Sequence, residues 1–561
     1  MRISPRLGLV AELDFSHEQR PLDRRAGTER MSMAVSRRTL LKTSGTALLP
    51  FAAPSIGRAN EARILRFVPQ ANLSVFDPVW NTAAVTIAHG YCVFDTLYGV
   101  DAQLRPRPQM AAGATVSDDG RTWLVTLRDD LRFHNGEPVR AQDCAASLDR
   151  WSKRDTFGQT LGAVVDSFGA ADDRTVRVTL KRPFPRFLDA IGKPHSSPAF
   201  IMPEHLARTD PMRQVTEMIG SGPFRFRASE YVSGSRMVYE RFEGYVPREE
   251  PAEWTSGGKR AHVDRVEWRV MPDPATAAAA LQRGEIDWWE QAMPDLIPVL
   301  LRRGGVRVQP KDQYGFVGLG RFNVLHPPFN NVQLRRAVLS AIRQEDYMQA
   351  TVGPEAPDAW RRCFAMFTCG MPGVNEEAAP IMRGPRDLNR AREAVRASGY
   401  AGERVVIINP TDLPVIGPHG HVTAQLFRSL GLNVDLQEMD WGSVLQRRIS
   451  REPVERNGWS FYHTNLPGVA IANPALNTAI RGDGAWPGFF TDAETERLTA
   501  EWLFAEAPAQ QQALFDAVHR RALDQVPTIP LGQFFVRTAF RDQVRGVLDG
   551  SVAYFWNVRK E

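Results

Sequence analysis

The sequence predicts an α/β protein of two lobes, and three observations carry that prediction. Segments from Val405 to Ile408, His421 to Leu430 and Val434 to Leu436 read as strand, helix, strand, the order of a right-handed crossover unit. About 500 residues follow the N-terminal leader described below, too many to close around one hydrophobic core. A hydrophobic content of 43% with 13 Trp and 29 Phe is ample to pack two.

The elements follow in order. The segment from Arg63 to Phe67, in the run Ile-Leu-Arg-Phe-Val, reads as a first strand. A loop carrying Pro69, Asn72, Asp77 and Pro78 comes next, and a helix is expected to begin near Ala83. Asp118-Asp119-Gly120 is a turn signal ahead of the alternating strand from Thr122 to Arg128, so the pair predicts a hairpin. Apolar residues from Ala141 to Trp151 recur at helical spacing, and Arg174 to Leu180 alternates as a strand. Two further alternating segments between Gly220 and Tyr245 are broken by Ser233-Gly234. Pro274 to Leu281 is an alanine-rich helix with its stop at Gly284. Beyond Gly305, Val306–Val308 and Phe316–Leu319 read as strands, Val332–Ala341 as an amphipathic helix, Pro530–Val536 as a last strand and Val544–Val547 as a closing turn.

Ahead of these elements stands a leader. Ser36-Arg37-Arg38-Thr39-Leu40-Leu41-Lys42 is a twin-arginine block, followed by a weakly apolar run from Thr43 to Ala53 and by small residues at Gly57-Arg58-Ala59. That pattern predicts an export signal cleaved near residue 60, and hence a periplasmic protein. The apolar run falls short of the roughly 20 residues a bilayer requires. Residues 1–30 are polar without periodicity, and Met31 and Met33 offer alternative starts. The leader holds ten basic and five acidic residues, so totals of 69 and 64 leave 59 of each beyond it. A neutral chain past residue 59 gives no electrostatic footprint for nucleic acid or for an anionic membrane surface.

Four cysteines are present. Cys363 and Cys369, separated by five residues, are candidates for a local disulfide, which the oxidising periplasm permits and which is worth roughly 2 kcal/mol for so short a loop. Because twin-arginine substrates fold before export, the bridge is expected as a late staple on a finished surface. Cys92 and Cys144 read as buried free thiols.

Four segments in fixed order give the chain a resemblance. They are Leu131-Arg-Phe-His-Asn-Gly-Glu-Pro-Val-Arg-Ala-Gln-Asp143, Gly220-Ser-Gly-Pro-Phe224, Ala280-Leu-Gln-Arg-Gly-Glu-Ile-Asp287 and Pro328-Phe-Asn-Asn-Val-Gln-Leu-Arg-Arg-Ala-Val-Leu-Ser-Ala-Ile342, the last with Asn323 ahead of it. Behind an export signal, they resemble the periplasmic solute-binding proteins of the peptide and nickel class that serve ATP-driven importers. The resemblance implies a hinged fold with mixed sheets: a first lobe over 60–312 with a small inserted subdomain at about 98–215, a second over 313–529, and a return to the first over 530–561. It also implies a small-molecule ligand in the interlobe cleft, permease subunits of an ABC importer as partners, a monomer and no cofactor.

Peptide binders of this class anchor the ligand amine on an aspartate shortly after a tryptophan. The matching stretch here, Trp459 to Pro474, contains no carboxylate. An unpaired buried ammonium costs several kcal/mol, so the ligand end expected here is neutral or anionic. His463 and Asn465 are candidates to hydrogen-bond it, and Trp441, Trp486 and Phe489 to pack on its apolar face. Asp77, Trp80 and Asn81, on the loop after the first strand, are also expected at the cleft, where strand ends place ligand contacts in α/β lobes. Arg335 and Arg336 are expected to face solvent or pair structurally, and His89 and His134 to make structural hydrogen bonds.

Signatures of catalysis are missing: no His-Glu-x-x-His occurs, Gly220-Ser-Gly222 lacks the spacing of a nucleophile elbow, and Gly318-Leu-Gly320 opens no phosphate loop. His419-Gly-His421 is a hint of metal if its backbone is extended, as Pro418 and Gly420 favour. A metal-chelate or haem carrier is therefore the alternative function, and an exported hydrolase the more distant one.

Overall fold

The computed structural model describes residues 63–354, 357–376 and 380–561, so the twin-arginine block, the apolar run and the cleavage region lie outside the described residues. Two mixed sheets organise the chain. The first has seven strands in the order Phe224–Phe226, Arg236–Arg241, Arg265–Arg269, Ile64–Val68, Trp288–Ala292, Arg537–Arg541 and Val306–Pro310. Ile64–Val68 pairs in parallel with both its neighbours, as a strand buried between layers does. The second has six, in the order Trp360–Arg361, Thr528–Phe534, Phe316–Phe322, Phe461–Pro467, Arg404–Pro410 and Asn433–Met439. In it the expected crossover unit is realised: Arg404–Pro410 and Asn433–Met439 are parallel, joined by the helix Gly417–Ser429.

A smaller antiparallel sheet, Ala111–Val116, Thr122–Leu127, Thr175–Leu180 and Val165–Ala170, sits within the stretch expected as an inserted subdomain. The Asp118-Asp119-Gly120 turn closes the hairpin between the first two of these strands. On this sheet packs the helix Ala141–Ser152.

The motif segments turn out to be joints. The Gly220-Ser-Gly222 turn lies against the end of the helix Ala84–Val93, where Gly222 N–H donates to Val93 O at 2.9 Å and a Cβ on Gly220 would stand 2.0 Å from the same oxygen. Only glycine permits that approach. His134 holds the turn from the other side: its Nδ1 accepts from Gly220 N–H at 3.4 Å, which leaves Nε2–H to donate to Gly222 O at 3.1 Å. Asp287 ties the first strand to the C-terminus, accepting from Arg66 N–H at 2.8 Å and pairing with Lys560 at 2.9 Å. Arg335 is buried and donates to the carbonyls of Phe329, Gln525 and Val526, so it caps the end of the helix Pro508–Gln525.

Two expectations are corrected. Cys363 and Cys369 do form a disulfide, but both are fully buried, so the bridge lies inside the fold and not on its surface. The strand expected over Pro530–Val536 runs from Thr528 to Phe534 and belongs to the second sheet; the chain re-enters the first only with Arg537–Arg541. Every residue of Thr528–Phe534 is buried, the mark of an internal strand, and an apolar run alone does not say which sheet takes it. Cys92 and Cys144 are buried free thiols, and burial pushes both above their ordinary pKa. No helix among the described residues is long and apolar enough to cross a membrane.

Candidate functional site

Two segments join the main sheets, residues 311–315 and 535–536. They run side by side, with Lys311 N–H donating to Val536 O at 2.9 Å. Lys311 also forms a buried ion pair with Glu290 at 2.8 Å, which fixes this crossing to the middle of the strand Trp288–Ala292. Beside the crossing opens a cavity of about 680 Å³. Gln291, Met293, Ile297 and Val308 face it from the first sheet's side, and Thr351, Val415 and Phe534 from the second's. Its lining is mainly apolar, the general character of small-molecule sites. One ion pair spans it: Arg537, at the start of a first-sheet strand, binds Asp358 on the opposite side and holds that carboxyl below its usual range.

Behind the Thr351 and Val415 wall of the cavity lies a buried polar group. The Thr351 hydroxyl donates to Tyr347 O at 2.9 Å, so at 2.6 Å from His419 it can only accept, and His419 donates from Nε2–H. His419 Nδ1 is then a bare acceptor, fully buried and without a partner. Next to it, Asn465 Nδ2 donates to Val415 O at 2.9 Å, and its Oδ1 has no partner. His463 lies deeper, its ring 5.8 Å from that of His419 and its Nε2 2.7 Å from the Thr423 hydroxyl. Burial lowers the His419 pKa to about 4, and burial followed by the neighbouring His419 takes His463 well below its ordinary value. Both rings are therefore neutral at ordinary pH.

The strand Phe316–Phe322 makes room for this group. Gly318 stands opposite Asn465, and a Cβ there would meet His419 Cε1 at 3.3 Å and Asn465 Oδ1 at 3.5 Å. Glycine inside a strand commonly marks such a close approach.

The structure separates the residues expected to share one site. His463 and Asn465 alternate on the strand Phe461–Pro467 and face the helices Gln344–Val352 and Gly417–Ser429. Trp441 and Phe489 pack with Trp459 and Tyr462 on the other side of the sheet, where Arg451 lies 4.4 Å over the Phe489 ring. Trp486 joins Val317, Leu319 and Ile471, with Arg321 4.4 Å over its ring. Asp77 is fully buried in the first lobe, its carboxylate paired with Arg150 at 2.6 Å and accepting Val79 N–H at 3.0 Å and Val215 N–H at 2.9 Å. Trp80 stacks under Arg154 at 5.0 Å, and Asn81 caps its own loop through Ala83 N–H. Of the eight, only Asn465 bonds directly to a residue that lines the cavity.

His419 and His421 do not form the extended pair expected of them. Pro418 occupies the first turn of the helix Gly417–Ser429, where its missing N–H is harmless, so the segment is helical. Two residues apart on a helix point about 200° apart. His419 is buried, while His421 is exposed beside Glu438 at 3.2 Å. No group of three or more His, Cys, Asp or Glu suited to a metal occurs among the described residues. Sequence reasoning missed the apolar lining, since Met293, Ile297, Val415 and Phe534 look like core; the glycines at 318 and 320 were the one available signal.

Comparison with known proteins agrees with this architecture. Residues 105–469 match the family model of bacterial extracellular solute-binding proteins, family 5 middle. A probable peptide ABC transporter periplasmic-binding protein, y4tO, of Sinorhizobium fredii is 36% identical over 539 residues, covering 94% of this chain and 100% of that protein. The glutathione-binding protein GsiB of Escherichia coli is 24% identical over 484 residues, covering 82% of this chain and 87% of its own. Among solved structures, a dipeptide-binding protein from Pseudoalteromonas sp. SM9913 in complex with Met-Leu superposes with a TM-score of 0.73 at 18% identity, over 89% of this chain and 100% of that one.

Proposed function

The chain belongs to the family 5 bacterial extracellular solute-binding proteins, a family of ABC-importer binding proteins and not of enzymes, and from that premise we propose that it captures a small solute between its two sheets. One observation carries the reading: a cavity of about 680 Å³ bounded by both sheets and flanked by the paired crossing segments that connect them. Those crossings act as a hinge, since backbone rotation confined to them changes the gap without disturbing either core. Closure removes apolar lining from water at about 25 cal/mol per Å² and leaves a few polar groups to fix orientation. The closed form is then presented to the permease subunits of an importer. The solute is peptide-like or a neutral or anionic organic compound, with y4tO as support for the peptide end of that range. The disposition of His419 and His421 gives the metal-chelate alternative no support.

The purified protein, screened by calorimetry against dipeptides, tripeptides and their amides, is expected to bind at least one class at micromolar affinity. Small-angle scattering should show a smaller radius of gyration in the bound form. A chain that binds none of them, and none of a wider organic-acid and amide library, is not this kind of receptor.

Export through the twin-arginine route is part of the proposal, supported by Arg37 and Arg38 ahead of the short apolar run. Replacing both arginines by lysine is expected to leave the full-length chain in the cytoplasm of a producing cell. Undiminished periplasmic recovery of that variant would assign export to another pathway.

A further inference from the structure

Among the described residues lining the cavity, Arg537 is the one cation. It opens the strand Arg537–Arg541, opposite Ala292 on one side and Pro310 on the other, directly after the crossing at 535–536. Its side chain is 18% exposed, so the guanidinium is neither sealed in nor fully wet. Of its three nitrogens only Nη2 is engaged, donating to Asp358 Oδ2; Nε and Nη1 make no hydrogen bond and remain in reach of solvent. Lys311, on the neighbouring crossing, is the contrast: it is 5% exposed and held by both Glu290 and Ser551 O at 3.2 Å.

Asp358 is a weak permanent partner for Arg537. It lies on the turn Pro357–Ala359 and is 75% exposed, and an ion pair with so wet a partner contributes little. Its carboxylate can leave the guanidinium for water at small cost.

On the reading that the cavity is the receptor site, we propose that Arg537 is its specificity-determining residue, and that a carboxylate on the solute displaces Asp358 and pairs with the guanidinium. The body of the solute lies along Met293, Ile297 and Phe534. The exchange is favourable for two reasons. An incoming carboxylate can take two parallel N–H bonds, using the nitrogens that Asp358 leaves free. Closure then removes the new pair from water, where its attraction is stronger. An uncharged head group leaves Arg537 on Asp358 and gains apolar burial alone, and an ammonium at this position faces the guanidinium. Asp295, the other charged residue lining the cavity among those described, is exposed on the first sheet's side and stays hydrated. A free branched-chain acid and a peptide C-terminus share the required chemistry.

Two matched pairs test the assignment and separate those sources: 4-methylpentanoate against 4-methylpentanamide, and Leu-Leu against Leu-Leu amide. Calorimetry at neutral pH, with saturation-transfer NMR for weak members, ranks each pair on the wild-type protein. In at least one pair the carboxylate is expected to bind roughly tenfold or more tightly than its amide, the size of a hydrogen bond to a charged group. A preference in the first pair alone assigns a free acid, and in the second alone a peptide C-terminus. The variants carry opposite signs. Arg537→Gln is expected to abolish the preference, while Asp358→Asn frees the guanidinium and strengthens carboxylate binding severalfold. A merely structural ion pair would not split them. Equal binding of acid and amide, or an Asp358→Asn variant that loses the acid as Arg537→Gln does, overturns the proposal and leaves the receptor reading standing. So does failure of both pairs while other solutes bind. Failure of both pairs and of the wider library together removes the receptor reading itself. The wild-type ranking decides even if a variant does not fold.

Discussion

Arg150→Met is expected to lower the stability of the protein by about 3–5 kcal/mol, as breaking one side of a buried ion pair does. Arg150 and Asp77 are 1% and 0% exposed and meet at 2.6 Å. The guanidinium also donates to Thr209 O at 3.3 Å and Arg213 O at 2.9 Å, and the carboxylate takes two backbone N–H groups, so each partner holds a loop in place. Removing the cation strands a carboxylate with no solvent to replace it. The double variant Arg150→Met with Asp77→Leu should be less damaged than the two single losses added together, since the stranded charge is gone. Urea unfolding followed by tryptophan fluorescence measures both. A loss within about 0.5 kcal/mol, the range of ordinary surface changes, would show that the pair is not buried in solution. The same pair bears on function: with its carboxylate engaged by Arg150, Asp77→Asn should change stability and leave solute binding unchanged.

Acid is expected to destabilise the protein as pH falls below about 6.5, before most carboxylates titrate. Five histidines among the described residues are buried: His89, His195, His419, His463 and His519. Burial lowers His89 and His195 to about 3 and His419 and His519 to about 4, with Lys193 and Lys311 adding to the effect on His195; His463 lies well below 6.5. A folded-state pKa depressed below the unfolded one means that the unfolded chain takes up protons first. The contribution of each neutral ring is complete above about pH 6.5 and is lost as pH falls toward its folded value.

Five carboxyls among the described residues oppose this trend, burial raising Asp143, Asp155 and Asp189 as well as the two that shift furthest. Burial raises Asp312 to about 6, and burial with the nearby Asp312 raises Asp549 to about 7. Their contribution is complete below about pH 4 and fades as pH rises through those values. Urea midpoints measured from pH 7.5 to 4.5 should fall steeply below pH 6.5. A flat profile down to pH 4.5 would mean that these rings are hydrated or charged in the native state.

Local order was well marked in the chain itself. The run after Arg63, the hairpin at Asp118-Asp119-Gly120, the helix stop at Gly284 and the crossover unit from Val405 to Leu436 all formed where alternation, helical spacing and turn residues placed them. Those signals arise within a few residues of one another, so neighbouring side chains suffice to write them. Gly220-Ser-Gly222 was legible as a motif but not as a joint, because its reason is the carbonyl of Val93, more than a hundred residues away in sequence. Pro418 misled for a related cause: a proline that can break a helix also fits its first turn, and only the packing around it selects between the two.

The site was less accessible. Tryptophans and phenylalanines attract attention as ligand surfaces, yet Trp441, Trp486 and Phe489 lie on a different face of the sheet from His463 and Asn465. Which face a residue occupies follows from strand register, and register is fixed by long-range pairing. The sequence by itself determined the two-sheet α/β class, the leader pattern, the neutral charge of the chain beyond it and the absence of a carboxylate from Trp459 to Pro474. The tertiary structure alone decided that Thr528–Phe534 joins the second sheet, that Asp77 meets Arg150, and that His419 and Asn465 meet over Gly318. A cavity is bounded by residues from distant parts of the chain, and its lining has the composition of core; no local pattern separates an apolar side chain that touches another from one that faces a space between two sheets.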